Sequence, residues 1–224
     1  MTEILLIRHA INDWVATGKL AGWTPGVHLS PEGQTQAAAL GTHLAGARIQ
    51  AIYASPLERT LETAQAIAAH YPTLRVEPLE GVGEVRFGDW QGAKLKALRR
   101  QPLWQTVQVY PSRAQFPAGE AIRQAQVRAV DAIETLVRRH PGQRVAVVSH
   151  SDIIKLIVTY YLGAPIDAFQ RVEVSPASLT VLYLHHDRPT LVRLNDTSFL
   201  PPLPPRPPRR SWWQRALARL GLAR

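Results

Sequence analysis

Short apolar runs, each followed at once by a segment of helical period, constrain this chain more than any other feature. Ile4 to Ile7, Ala51 to Ala54 and Val145 to Val148 read as buried strands. Ser30-Pro31 gives an N-cap followed by proline at N1, opening a helix that turns Ala37, Leu40 and Leu44 inward. Leu57, Leu61, Ala64 and Ala68 repeat at helical spacing; a long helix is predicted over 119–139, and another from Asp152 to Tyr160. Two further strands fit Leu179 to His185 and Thr190 to Leu194. Strands alternating with helices predict a three-layer α/β/α sandwich, with a mostly parallel sheet covered on both faces.

Composition excludes several classes of function. The 224 residues include no cysteine, which removes disulfide frameworks, thiolate metal sites, iron–sulfur clusters and cysteine nucleophiles. The remaining histidines, His28, His43, His70, His140, His185 and His186, show no metal-ligand spacing, so neither metal nor cofactor is expected. The opening MTEILLIRHA is too short and too polar for a signal peptide or membrane span, and the chain is read as cytoplasmic. The net charge of +9 is a property of the end of the chain: residues 206–224 hold six arginines and no acid, leaving 20 basic against 17 acidic residues before them. Nucleic acid is therefore not an expected partner.

The boundary falls near residue 200, where PPLPPRPPRR supplies too few amide donors for sheet or helix. The expected organisation is a catalytic domain over 1–200, a proline-rich linker over 201–210 and a basic amphipathic tail over 211–224, with Trp213, Ala216, Leu217 and Leu220 on one face. Four readings of the tail stand together. It is a disordered extension, a weak peripheral membrane anchor using Trp212 and Trp213, a packing element on the body or on a second subunit in a homo-oligomer, or a PxxP ligand.

Open α/β sheets bind ligands beyond the carboxyl ends of their strands. Arg8 and His9 follow the first strand, Ser55 and Arg59 the second, Ser149 and His150 the third. Two guanidiniums, two imidazoles and a helix start suit an anion, most economically a phosphoryl group.

LLIRHA, YASPLERTLETAQAIA, GVGEVRFGDWQG and VAVVSHSDIIK together resemble the four signature segments of the histidine phosphatase superfamily, the phosphoglycerate-mutase-like fold, over residues 3–196. The resemblance implies His9 as the nucleophile that accepts the phosphoryl group and Glu84 as general acid and base. It also implies Arg8, Arg59 and His150 as the groups that hold the phosphoryl oxygens, with His150 counted as catalytic too. Glu80 is the competing carboxylate. Asn12, Trp23, Ser151 and Arg86 are the expected substrate contacts, with Lys94, Lys96, Trp104 and Arg113 as further candidates on the cap over 92–118.

The chain departs from the family pattern at several positions. Ala10 stands for the usual glycine after the nucleophile, Asn12 for a threonine, Val15 for an asparagine, Ser151 for a glycine, and Ala121 for a serine or threonine. The short stretch from Gly92 to Gly119 favours hydrolysis over mutase chemistry, because a more open cap admits water to a phosphohistidine. The expected function is metal-independent hydrolysis of a small phosphomonoester. The alternatives are a cofactor-dependent phosphoglycerate mutase and a catalytically weak phosphate-binding regulatory module, in which Ala10 and Val15 mark decay. The substrate stays open among sugar phosphates, phosphoglycerate, a nucleotide-loop phosphate of cobamide synthesis and a phosphoprotein.

Overall fold

A computed structural model of the chain describes residues 1–185 and 188–201. His186, the linker from residue 202 and the tail lie outside the described residues. From the N-terminus, β1 (Thr2–Arg8) leads into a five-residue helix α1 (Asp13–Thr17), then α2 (Pro31–Leu44), β2 (Ala51–Ala54), α3 (Glu58–Ala68) and β3 (Val76–Pro78). The short helices α4 (Leu95–Leu98) and α5 (Pro102–Val109) precede the long α6 (Ile122–Arg139), followed by β4 (Arg144–Ser149), α7 (Ser151–Tyr161), β5 (Leu179–Leu184) and β6 (Thr190–Asp196). Among the described residues, no helix is long and apolar enough to cross a membrane.

The six strands form one sheet in the order β3-β2-β4-β1-β5-β6. The pairings β3 to β2, β2 to β4 and β4 to β1 are parallel, while β5 is antiparallel to both its neighbours. Five strands therefore share one direction, as expected of a mostly parallel sheet. Alternation along each strand separates two cores. Ile4, Leu6, Tyr53, Val145, Val147 and Leu182 face α6, α7 and the cap, whereas Leu5, Ile7, Ile52, Ala146 and Val148 face α2 and α3. The expected cover on both faces stops at β6, an edge strand whose Val192 and Leu194 are exposed.

Local chemistry sets the boundaries. Ser30 Oγ accepts the Gly33 N–H at 3.1 Å, with Pro31 at the first position of α2, as the sequence predicts. The long helix begins at Ile122 rather than at 119, because residues 115–121 fold back on themselves: Gly119 N–H donates to Phe116, Phe116 N–H to Glu120, and Gln115 bridges Ala121. With alanine at the N-cap, half a capping box survives, Gln124 Oε1 accepting the Ala121 N–H at 2.8 Å. β5 ends at Leu184, one residue short of the predicted His185. Helix α1, strand β3 and both cap helices were not predicted; each is too short to show a period.

The cap is fastened by aromatic contacts. Phe87 meets Phe116 edge to face at 5.0 Å, and Trp90 lies 5.3 Å from Phe116 and 6.3 Å from Trp104 of α5. Gly88, at φ +53°, brings this segment against residues 117–119; a Cβ there would meet Pro117 O at 1.9 Å. Gly88→Ala is accordingly expected to destabilise the protein by at least about 2 kcal/mol through left-handed strain and overlap together, read as a lowered urea midpoint.

Candidate functional site

Three parallel strands deliver the charged groups to one end of the sheet. Arg8 ends β1 and His9 follows it, Arg59 is the second residue of α3 after β2, and His150 separates β4 from α7. His9 N–H donates to Ser149 O at 2.9 Å and Ser55 N–H to Val148 O at 2.9 Å, so the strand ends are laced together where these side chains leave them. Arg8, His9, Arg59 and Glu84 line a cavity of about 370 Å3, whose walls also include Leu20, Phe87, Trp90, Leu95, Trp104 and Phe116. Fully buried His150 stands beneath it, its ring 5.3 Å from that of His9.

Hydrogen bonds define the proton positions on both imidazoles. His9 Nδ1 lies 2.8 Å from the Ala10 carbonyl, which can only accept, so Nδ1 carries the proton and Nε2 keeps its lone pair. Burial, then the charges of Arg59 and Arg8, hold the His9 pKa well below its usual range, and the ring is neutral at pH 7. Arg59 Nη2 donates to Gly22 O at 2.9 Å and contacts His150 Nδ1 at 3.2 Å; guanidinium nitrogens only donate, so Nδ1 accepts and Nε2 donates to Ser55 Oγ at 2.8 Å. Burial and the same two arginines also keep His150 neutral.

Buried guanidiniums are held with part of their hydrogen-bonding capacity spare. Arg8 Nη1 donates to Val174 O at 2.7 Å while Nε has no partner; Arg59, 1% exposed, leaves Nη1 without one. Burial lowers both arginine pKa values, with nearby Glu84 acting in the opposite sense, and both remain cations at neutral pH. The carboxyl of Glu84 is raised to about 7, first by burial and then by the neighbouring charge of Asp152, against the pull of Arg59, the Val85 N–H and Arg8. Glu84 Oε1 accepts that N–H at 2.9 Å, and Oε2 lies 3.8 Å from His150 Nδ1. Glu80, by contrast, is exposed and paired with Arg86 at 2.7 Å.

Of the expected substrate contacts, Asn12, Ser151 and Trp104 line the cavity. Asn12 caps α1 by accepting the Val15 N–H at 2.9 Å, while Ser151 Oγ donates to Val174 O at 3.4 Å and does not cap α7. Trp23 and Arg86 lie outside this lining. The Trp23 indole N–H is spent on Glu84 O at 2.6 Å, and Arg86 stacks 4.2 Å above the Trp23 ring while binding Glu80. Lys94, Lys96 and Arg113 are likewise exposed and off the cavity. Ala10 is fully buried, has no left-handed φ and packs with Leu29, Ala37 and Ala177, so its methyl group is accommodated without strain.

Several residues around the cavity went unread in the sequence. Lys19, Gln108, Asp152 and Gln170 line it, with no motif to mark them. Arg128 of α6 reaches the carbonyls of Gly81, Gly83 and Glu84, each at 2.8 Å, and both Glu120 oxygens. An arginine among the buried Ala125, Ala129 and Val130 was the available signal. Among the described residues, no group of three or more His, Asp or Glu side chains is arranged to hold a metal ion.

Comparison with known proteins bears on this geometry. The family model described as histidine phosphatase superfamily (branch 1) matches residues 4–197. Phosphoserine phosphatase 1 of Hydrogenobacter thermophilus is 29% identical over 202 residues, spanning 89% of this chain and 95% of its own. Among solved structures, phosphoserine phosphatase of Entamoeba histolytica in complex with 3-phosphoglyceric acid superposes with a TM-score of 0.82 at 27% identity, covering 89% of this chain and all of that one. YhfR of Bacillus stearothermophilus gives 0.83 at 25% identity, covering 89% and 99%.

The buried carboxyl has a consequence for stability. A Glu84 pKa of about 7 in the folded chain against 4.5 when unfolded means that folding loses stability as pH rises from about 4.5 to 7 and gains none of it back above. Glu84→Gln, neutral like the protonated acid, is expected to stabilise the protein at pH 8 by no more than about 3 kcal/mol and to leave stability unchanged at pH 4. Urea unfolding of both proteins at the two pH values is the measurement.

Proposed function

Because this chain belongs to the histidine phosphatase superfamily, we propose that it hydrolyses small phosphomonoesters with His9 as nucleophile, Glu84 as proton donor and acceptor, and Arg8, Arg59 and His150 as the phosphoryl-binding groups. One observation carries the reading: a neutral imidazole with Nε2 free, between two guanidiniums with spare donors, beside a carboxyl half-protonated near pH 7.

In the first step the His9 Nε2 lone pair attacks phosphorus and the bond to the ester oxygen breaks, while Glu84 passes its proton to the departing alkoxide. Charge on the equatorial oxygens is met by the spare N–H groups of Arg8 and Arg59 and by the start of α7. In the second step the deprotonated Glu84 takes a proton from water as that water attacks phosphorus; the P–N bond breaks and orthophosphate leaves. His150 is a neutral ring with Nδ1 engaged by Arg59 and Nε2 by Ser55, so it meets a phosphoryl oxygen by turning its Nε2–H from Ser55 to the substrate. An imidazolium is disfavoured at this position, because burial first and then the neighbouring arginines oppose it. Similarity to phosphoserine phosphatases supports a small phosphorylated metabolite with a carboxylate as one substrate class. Lys19 is the cation on the cavity wall available to such a group.

Phosphate release from a panel of phosphomonoesters, including phosphoserine and 3-phosphoglycerate, is expected to persist in EDTA and to fall by at least about a thousandfold in His9→Ala. Isomerisation of 3-phosphoglycerate on adding bisphosphoglycerate, with no phosphate released, would instead establish the mutase reading. For the pH profile, the general acid must be protonated and the nucleophile neutral. The kcat/KM is therefore expected to decline as pH rises through about 7 and to keep its acid limb well below 6.5. In Glu84→Gln the limb near 7 should disappear along with most of kcat.

A further inference from the structure

Asn12 has only one half of its carboxamide employed. Its Oδ1 accepts the Val15 N–H, and because a backbone N–H can only donate, this bond fixes which end of the amide is oxygen. Nδ2 is then left buried with no partner, on a residue 1% exposed that lines the cavity. A buried amide N–H without an acceptor is destabilising. Capping alone does not call for it: Ser, Thr or Asp at the same place would cap α1 without leaving a buried N–H unmet.

The remaining buried side-chain atoms without partners, among the described residues, are Arg8 Nε, Arg59 Nη1 and Ser178 Oγ. Three of the four are thus N–H donors on residues lining one cavity. Donors without acceptors specify the missing ligand atoms as oxygens carrying negative charge. Depth assigns the part of the ligand. Asn12 is as buried as Arg59, whereas Leu20, Leu95 and Trp104, also on the cavity walls, are only partly buried.

Resting on the phosphatase reading above, we propose that Asn12 is a direct phosphoryl ligand: its Nδ2–H donates to a non-bridging oxygen of the bound phosphoryl group, beside Arg8 and Arg59. The cap to Val15 orients that N–H before substrate arrives, so little ordering is needed on binding. The same donor then serves substrate, phosphohistidine and orthophosphate alike, whatever alcohol leaves.

The test uses the full chain, with orthophosphate affinity by calorimetry, kcat/KM on phosphoserine and on benzyl phosphate, and Tm. Asn12→Ala removes both donor and cap, whereas Asn12→Ser keeps an acceptor for the Val15 N–H. Both are expected to bind orthophosphate about ten- to a hundredfold more weakly and to lose kcat/KM equally on the two esters, while only Asn12→Ala lowers Tm. Orthophosphate affinity and kcat/KM restored to wild type in Asn12→Ser would make the residue a cap alone and overturn the proposal. So would a loss confined to one ester with orthophosphate affinity intact, which places Nδ2 against the leaving group, or a wild type that binds no orthophosphate. A wild type that hydrolyses no ester, yet loses orthophosphate affinity in Asn12→Ser, sinks the phosphatase reading and leaves the donor assignment standing.

Discussion

Two guanidiniums withdrawn from water at the ends of parallel strands, and given fewer acceptors than they have N–H groups, set the terms for everything around them. Desolvating an arginine is costly, and a protein that does so twice within one cavity must offset the cost or leave it for a ligand to offset. Here the offset is partial: Gly22 and Val174 supply carbonyls, Glu84 supplies charge at longer range, and spare donors remain. Burial first, and then the resulting positive potential, keeps both histidines uncharged. Burial and Asp152 outweigh the same potential at Glu84 and leave its proton on near neutrality. The proposed nucleophile, acid and anion receptor are thus one electrostatic arrangement rather than separate inventions.

How much of this was legible in the sequence depended on period and on rigidity. Strands β1, β2 and β4 and helices α2, α3, α6 and α7 show as apolar runs and helical repeats, and residues fixed to their ends, Arg8, His9, Arg59 and His150, are placed at one crevice by the sequence alone. Side chains on connections are not. Trp23 and Arg86 sit on loops, and nothing local says that the indole N–H is taken by a backbone carbonyl or that the guanidinium stacks outward. On the cap the apolar sides of α4 and α5 turn inward, while Lys94 just before α4, Lys96 within it and Arg113 after α5 are exposed, which no local pattern in the sequence announces.

Departures from the family pattern read differently once placed. Ala10 stands where a methyl group has an apolar niche beside α2, and its backbone lies in a region open to any residue. Asn12 both begins α1 and faces the cavity, a double duty that threonine could share only in part. Ala10 therefore does not read as decay. The side chain of the neighbouring Val15, 38% exposed at the cavity, can make no hydrogen bond, so the polar side chain at this end of α1 is that of Asn12.

Arg128 draws three main-chain carbonyls, the last of them from Glu84, onto the middle of the longest helix. The Glu84 backbone is therefore gripped from α6 and from the Trp23 indole, while its carboxyl is tied only to its own neighbour's N–H. Mechanical support and proton chemistry are divided between the two halves of a single residue. The carboxyl can turn, lose its proton and regain it with the polypeptide beneath it standing still, much as a hinged pan tips on a fixed beam.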